Sequence, residues 1–211
     1  MGEKDIAFLI TTYNREESCQ RLVDSLQGLG EVVVAHDGND YSISGATNLN
    51  PKIHLGKEGY WRLVNMLYRN RPVCKYYLMI PDDFLIYKPQ IVKAIKIWEG
   101  IKDPEKVCLN LFADRIGCRC WTNIYPEDKG RVWKTGWVDM CFLCEEKFFS
   151  NIGTIPDPHI GRRYGSSGVG AYISKILCRK GLGLYQVKDS LVDPQEEHSD
   201  SMMHPKKISN R

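Results

Sequence analysis

Short apolar runs alternate with helix-like stretches along most of this chain. Three of these runs, at residues 6–10, 32–35 and 76–80, are rich in branched or aromatic side chains. Continuous runs of this kind are typical of strands buried on both faces of a parallel sheet. The stretches between them place apolar residues every three or four positions, as amphipathic helices do. This alternation predicts an α/β protein with a mainly parallel central sheet and helices on both faces.

The same patterns give approximate boundaries for the predicted elements. Predicted strands cover residues 6–10, 32–35, 52–55, 76–80, 107–112 and 184–187. Predicted helices follow Asn14, where Glu17 has capping-box spacing, and lie at residues 59–70, around residues 91–98 and after Ser166 or Ser167. Residues 113–165 show no regular pattern. The polar segment from Asp193 onward lacks the periodicity of a packed element.

Length and charge exclude several classes of protein. The chain has 211 residues, which is enough for one α/β domain with a substantial core. Its formal net charge of +3, from 29 Lys and Arg against 26 Asp and Glu, is too even for a general nucleic-acid binder. No apolar stretch approaches the roughly 18 residues that a membrane-spanning helix needs, and no export signal is visible. We therefore expect a soluble protein that neither spans a membrane nor binds nucleic acid.

Cysteine usage indicates a reducing compartment. Eight Cys without a signal peptide suggest free thiols in the cytoplasm. Cys118 and Cys120, followed by Cys141 and Cys144, have a spacing that raises the question of a structural zinc site. However, the last two lie in a strand-like run, where residues three apart face opposite ways. Buried free thiols are the preferred interpretation.

Two adjacent carboxylates, Asp82 and Asp83, follow the apolar run at residues 76–80. Like charges at short range oppose joint ionisation, and a divalent cation is the simplest remedy. In an open α/β sheet, ligands bind outside the carboxyl ends of the strands, where this pair is expected to lie. The alternative is a local turn in which one carboxylate caps backbone groups.

Two other predicted strands also end in polar segments, Thr11-Thr12-Tyr13-Asn14-Arg15 after the first and Asp37-Gly38 after the second. With the Asp pair, these ends resemble the nucleotide-sugar-dependent glycosyltransferases of the GT-A fold. In that family the first strand ends in a Thr-x-Tyr-Asn-Arg-like segment, the second in an Asp that reads the base, and a later strand in a metal-binding Asp-x-Asp or Asp-Asp motif. The resemblance covers roughly residues 5–112 and extends more weakly over 136–198. Within the family the chain looks most like the short viral enzymes that glycosylate algal-virus capsids.

This resemblance implies an architecture and an activity. The fold would be a single-domain, Rossmann-like three-layer sandwich, with a nucleotide-sugar half at about 1–112, an acceptor-side half at about 113–192 and a polar tail at 193–211. The enzyme would move a hexose or deoxyhexose from a UDP-sugar to a saccharide or glycoprotein glycan with the help of Mn²⁺ or Mg²⁺. It would act in the cytoplasm, the host cytoplasm if viral, and the chain could be one part of a longer multidomain protein.

The resemblance also assigns residues to roles. Those expected to bind the nucleotide-sugar are Thr12, Tyr13, Arg15, Asp37, Gly38, Lys57, Tyr60, Trp61 and Asp82. Asp83 would bind the metal directly, and His198 would complete its coordination, with His204 or Asp193 as alternatives. Arg15 has a rival interpretation as a solvated first-turn residue, and Asp37 has one as a turn former beside Gly38.

The acid/base position departs from the family pattern. Inverting members carry an acidic pair at the start of the last helix, but here no Asp or Glu occurs between Asp157 and Asp189. Either Asp139 supplies the catalytic base, or the enzyme retains configuration and the leaving phosphate takes the proton. On the sequence alone we favour the second.

Two other functions stay open. A sugar-nucleotide pyrophosphorylase shares the architecture but normally opens with a Gly-rich phosphate loop, and residues 11–15 contain no Gly. A non-catalytic UDP-sugar-binding domain is consistent with the absence of the usual base.

Overall fold

The computed structural model describes residues 5–38, 40–113, 125–127, 132–158 and 167–195, with only the backbone described at 125–127. The strands are β1 (Ile6–Thr12), β2 (Glu31–His36), β3 (Thr47–Leu49), β4 (Tyr76–Pro81), β5 (Phe84–Leu85), β6 (Lys106–Asn110), β7 (Tyr125–Glu127), β8 (Val132–Thr135), β9 (Phe142–Cys144), β10 (Gly183–Val187) and β11 (Asp193–Pro194). The helices are α1 (Glu16–Leu26), α2 (Gly56–Arg69), α3 (Lys88–Gly100), α4 (Glu146–Ile152) and α5 (Val169–Arg179).

One large mixed sheet organises these elements. Its nine strands run in the order β3-β2-β1-β4-β9-β6-β10-β8-β7. The pairs β1–β2, β1–β4, β2–β3 and β6–β10 are parallel. Strand β9 enters antiparallel between β4 and β6, and β8 is antiparallel to β10. A second sheet of two strands joins β5 to β11. The predicted α/β class with a mainly parallel central sheet is confirmed.

Helices cover both faces of the large sheet. Alternate side chains of β1 point to opposite faces, so that Phe8 and Ile10 pack in the cluster formed with α1 and α3. Ala7 and Leu9 pack in the cluster that includes α2, α4 and α5. All seven residues of β1 are buried, and each large apolar side chain buried in this way contributes about 1.5–3 kcal/mol. The result is the expected three-layer sandwich.

The strand order reverses at β1. Strand β2 lies on one side of β1 and β4 on the other, both parallel to it, while α1 and α2 pack on opposite faces. The polar segments that follow β1 and β4 therefore lie side by side at the carboxyl edge of the sheet, at the point of reversal, where α/β proteins bind ligands in a crevice. The register pairs Thr11 with Pro81, and Asp37 N donates to Thr12 O at 2.9 Å. All three polar strand ends thus meet at one edge of the sheet.

Several local predictions are wrong. Helix α1 has Arg15 as its N-cap without a side-chain cap, because Asn14 adopts a left-handed conformation (φ 52°) instead of capping. Residues 52–55 form a loop, and the third strand is the polar β3, which is defined by its pairing with β2. Strand β11 lies at the start of the segment expected to be a polar tail.

The region without a regular sequence pattern contains β8, β9 and α4. Cys141 and Cys144 pack in different core clusters on the two faces of the sheet, as the expected alternation requires, while Cys118 and Cys120 lie outside the described residues. None of the helices in the described ranges combines the length and apolar character needed to cross a lipid bilayer.

Candidate functional site

The Asp pair lies in the tight turn between β4 and β5, at the mouth of the crevice. Asp82 and Asp83 are only 5% and 4% exposed. Thr12 at the end of β1 donates from Oγ1 to Asp82 Oδ2 at 2.8 Å. Arg15 Nη1 lies 3.0 Å from Asp82 Oδ1 and 3.7 Å from Asp83 Oδ2. The guanidinium therefore bridges both carboxylates, and Arg15 is an ion-paired residue, not a solvated one.

Burial makes this negative charge costly. Loss of solvent raises the pKa of Asp82 to about 7, the positive charge of Arg15 acts in the opposite direction, and the neighbouring Asp83 raises the pKa further. Burial thus outweighs the single guanidinium. A second cation at this edge of the sheet would favour the ionised form.

The chemistry of the donors fits a hard divalent ion. Carboxylate oxygens are the ligands that Mg²⁺ and Mn²⁺ prefer, and Mg²⁺ is usually held by one or two carboxylates together with substrate phosphates. Within the ranges that the structure describes, no group of three or more His, Cys, Asp or Glu side chains could hold a metal. Asp82 and Asp83 would therefore share such an ion with phosphate oxygens, with water, or with a residue outside those ranges. His198 and His204 lie outside them, and Asp193 accepts a hydrogen bond from Gln90 Nε2 at 3.0 Å.

Asp37 stabilises the start of α2. Its Oδ1 accepts the backbone N–H of Leu55, and its Oδ2 accepts that of Gly56 at 2.9 Å. His54 Nδ1 lies 3.2 Å from the same Oδ2. A carboxylate has about four acceptor positions. The contacts with Leu55, Gly56 and His54 use three of them, which leaves one for a ligand. Gly38 has φ +77°, and a Cβ there would lie 2.6 Å from His54 N, so that the turn requires glycine.

A stacked pair of rings lies beside Asp37. The rings of Tyr13 and His54 are 4.4 Å apart between centroids and 19° from parallel. The side chain of His54 is 49% exposed. A planar base could stack against this pair while it hydrogen-bonds to Asp37. The sequence did not indicate a role for His54, because the pattern of residues 52–55 predicts a buried strand and not a loop.

Helix α2 contributes Tyr60 to the same crevice. Its hydroxyl lies 3.2 Å from Thr11 Oγ1. Burial raises the pKa of this hydroxyl, and the negative charges of Asp82, Asp83 and Asp139 raise it further. The charges of all three carboxylates thus act on this one hydroxyl, so Asp139 lies within electrostatic range of Tyr60, as the Asp pair does.

Lys57 and Trp61, the other two α2 residues expected to bind the nucleotide-sugar, make fewer contacts that point to a ligand. Lys57 is half-buried one helical turn before Tyr60. Trp61 packs partly against the core cluster on that face, and Arg62 lies over its ring at 5.1 Å from the centroid.

Asp139 lies in the loop between β8 and β9, which buried polar side chains hold in place. Asn110 Oδ1 accepts the N–H of Asp139 at 3.0 Å, and Asn110 Nδ2 donates to Trp137 O at 2.8 Å. From α5, Ser174 Oγ accepts the N–H of Val138 at 2.8 Å. Asn110 is fully buried. In the sequence, the one sign of this role is that Asn110 interrupts an apolar run. A buried amide needs hydrogen-bond partners, so such a residue is expected to bind a neighbouring segment.

Comparison with known proteins gives structural matches alone. No protein-family model and no curated protein matches this chain. A crystal structure of GalNAc-T7 with UDP, GalNAc and Mn²⁺ is similar, with 12% identity and a TM-score of 0.65, over 90% of this chain and 43% of that one. The structure of S. aureus TarS 1–349 also matches, with 12% identity and a TM-score of 0.59, over 92% of this chain and 61% of that one. The chain spans less than two thirds of either protein. These matches confirm the expected GT-A fold.

We expect Asp82→Asn to raise the melting temperature at pH 8 in EDTA. The pKa of Asp82 rises on folding from an ordinary value of 3.8 to about 7, so the folded state holds a proton that the unfolded state has released between these values. Stability therefore falls as the pH rises through this window, by up to about 4 kcal/mol. The gain from Asn should shrink as the pH falls toward 4. Thermal unfolding at pH 5 and pH 8 measures it, and a less stable Asn variant at pH 8 would contradict it.

Proposed function

We propose that this protein is a metal-dependent glycosyltransferase that transfers a sugar from a UDP-sugar to a saccharide or glycan acceptor. The observation that carries the proposal is the buried Asp82–Asp83 pair in the crevice between β1 and β4, bridged by Arg15. The fold match to GalNAc-T7, whose structure contains UDP, GalNAc and Mn²⁺, supports the same ligand chemistry.

The donor site follows from the three strand ends. Departure of UDP develops negative charge on the diphosphate, and a divalent ion, when bound, supplies the positive charge that stabilises it. Asp83 and Asp82 would hold that ion, with Asp82 oriented by the hydroxyl of Thr12. Arg15 adds a fixed positive charge at the same point. His198 would complete the metal site, since only two residues separate it from Gln195 in the sequence.

The base of the nucleotide would lie against Tyr13 and His54. The remaining acceptor position of Asp37 suits the N3–H of uracil, and the stacked rings offer an aromatic surface. Tyr60, Lys57 and Trp61 on α2 would contribute the ribose side of the pocket. This arrangement favours uridine over cytidine, because N3 of cytosine is an acceptor and would face a carboxylate.

For the acceptor side we propose Asp139 as the base that removes the proton from the acceptor hydroxyl. Asn110 and Ser174 fix its loop, and its negative charge acts on the hydroxyl of Tyr60, as the charges of the Asp pair do. This geometry shifts our preference from retention, in which the leaving phosphate takes the proton, to a base-assisted transfer. From the sequence resemblance we further propose a hexose or deoxyhexose donor, a saccharide or glycoprotein glycan as acceptor, and action in the cytoplasm, which would be the host cytoplasm if the protein is viral.

The absence of the family's acidic pair favours one rival, a domain that binds a UDP-sugar without turnover. Release of UDP from a panel of UDP-sugars, with and without Mn²⁺, separates the two functions. Tight binding without release of UDP in the presence of any saccharide acceptor would support the binding domain.

We expect Asp83→Asn to weaken UDP binding in Mn²⁺ by about tenfold or more and to leave binding in EDTA unchanged, because the amide loses the charge that holds the ion. Calorimetric titration with UDP in each buffer measures this. Asp24→Asn is the matched control, since Asp24 is an exposed carboxylate on α1. If wild-type UDP affinity is the same in Mn²⁺ and in EDTA, the proposed function is wrong.

We expect Asp37→Asn to abolish a preference for UDP over CDP, with or without Mn²⁺, because an amide can donate to N3 of cytosine or accept from N3–H of uracil. The variant should also lose about 1–2 kcal/mol of stability, since one N–H at the start of α2 loses its acceptor. Paired titrations with UDP and CDP measure the preference. An Asn variant that still discriminates as the wild type does would remove Asp37 from base recognition.

We expect Asp139→Asn to lower kcat by about 100-fold or more with little change in UDP affinity, as loss of a general base does. NMR of the product gives the anomeric configuration in parallel. Near wild-type turnover, together with retained configuration, would instead assign the proton to the leaving phosphate.

A further inference from the structure

The chain returns to the Asp pair shortly before the end of the described residues. Strand β11 (Asp193–Pro194) pairs antiparallel with β5 (Phe84–Leu85), which begins directly after Asp83. The next residue, Gln195, donates its backbone N–H to Asp83 O at 2.8 Å. A short C-terminal strand thus covers the backbone side of the turn whose side chains form the candidate metal site.

The side chain of Gln195 is buried inside this turn, with 8% of the residue exposed. Its Nε2 lies 2.9 Å from Asp82 O and 3.2 Å from Phe84 O. The same nitrogen lies 3.0 Å from Ser18 O on α1, and Oε1 accepts a hydrogen bond from Arg21 Nε at 3.0 Å. One amide therefore uses its donors and its acceptor to join the turn to α1.

Together, these bonds fix three consecutive peptide groups. The carbonyl oxygens of Asp82, Asp83 and Phe84 all accept from Gln195. Rotation of the peptide groups that follow Asp82 and Asp83 would swing the carboxylates of the Asp pair, which repel each other. The link to α1 also fixes the distance between the turn and Arg15, which precedes the first residue of that helix.

We propose that Gln195 is a positioning residue for the divalent-ion site: it holds the Asp82–Asp83 backbone so that both carboxylates face one ion. This inference rests on the proposed function and adds to it a residue that touches neither the ion nor the donor. Groups that orient metal ligands from behind typically change metal affinity by about 10–100-fold when they are replaced.

Gln195→Glu, made in the 211-residue chain, is the most informative variant. It keeps the shape of the side chain and an oxygen acceptor for Arg21. However, it places an acceptor oxygen in the position of Nε2, whose two hydrogens face three carbonyl oxygens. Gln195→Met removes both polar atoms at similar volume. Gln20→Ala is the matched control, because Gln20 also ties α1 to a loop, through Ser44, and does not contact the Asp pair.

The measurements are Mn²⁺ titrations in the presence of UDP, UDP titrations in EDTA, and thermal unfolding. We expect both Gln195 variants to weaken Mn²⁺ binding about tenfold or more, to keep the wild-type UDP affinity in EDTA, and to remain folded at 25 °C. Gln20→Ala should match the wild type in Mn²⁺ affinity.

Wild-type Mn²⁺ affinity in a folded Gln195→Glu protein would overturn the inference and leave the proposed function standing. Unfolding of both variants would also overturn it, by assigning Gln195 to fold stability. Absence of Mn²⁺-dependent UDP binding in the wild type would refute the proposed function, and the inference with it.

Discussion

The repulsion between two buried carboxylates is the constraint on which the rest of this structure depends. Asp82 and Asp83 are almost without solvent, and one guanidinium does not outweigh the cost of burying the charge of Asp82. The fold supplies what holds them there: a hydroxyl from β1, a positive charge from the residue before α1, and a backbone N–H from Gln195, the residue after β11. Buried charge that the protein does not fully compensate is typical of ligand-binding sites. Such charge lowers the stability of the folded protein and is retained for function.

The parts of the fold that depend on local pattern could be predicted from the sequence. Strands β1, β2 and β4 appear as apolar runs because both of their faces are buried, and parallel packing then brings their polar ends together at one edge. The positions of Thr12, Asp37 and Asp82 at this edge could be predicted in this way. Strand β3 was missed because it is short, polar and exposed, so that its pairing with β2, and not its composition, makes it a strand.

The contacts of the site residues could not be predicted, because they depend on tertiary placement. The left-handed conformation of Asn14 sets the direction in which the side chain of Arg15 leaves the backbone. The capping-box spacing had instead indicated a regular helix start at Asn14. His54 reaches Tyr13 and Asp37 because its loop packs on Gly38. Asn110 and Gln195 carry no local signal for the partners they bind, since those partners come from distant parts of the chain.

The bond between Gln195 and Asp82 O closes a loop of 113 residues, and this has a consequence for biogenesis. A chain emerging from a ribosome can pair β1, β2 and β4 early, because these strands are near one another in sequence. The turn that carries the carboxylates obtains this partner only after residue 195 has been synthesised. A nascent chain, or one truncated before Gln195, would therefore hold the turn that carries Asp82 and Asp83 less firmly than the chain that has reached this residue.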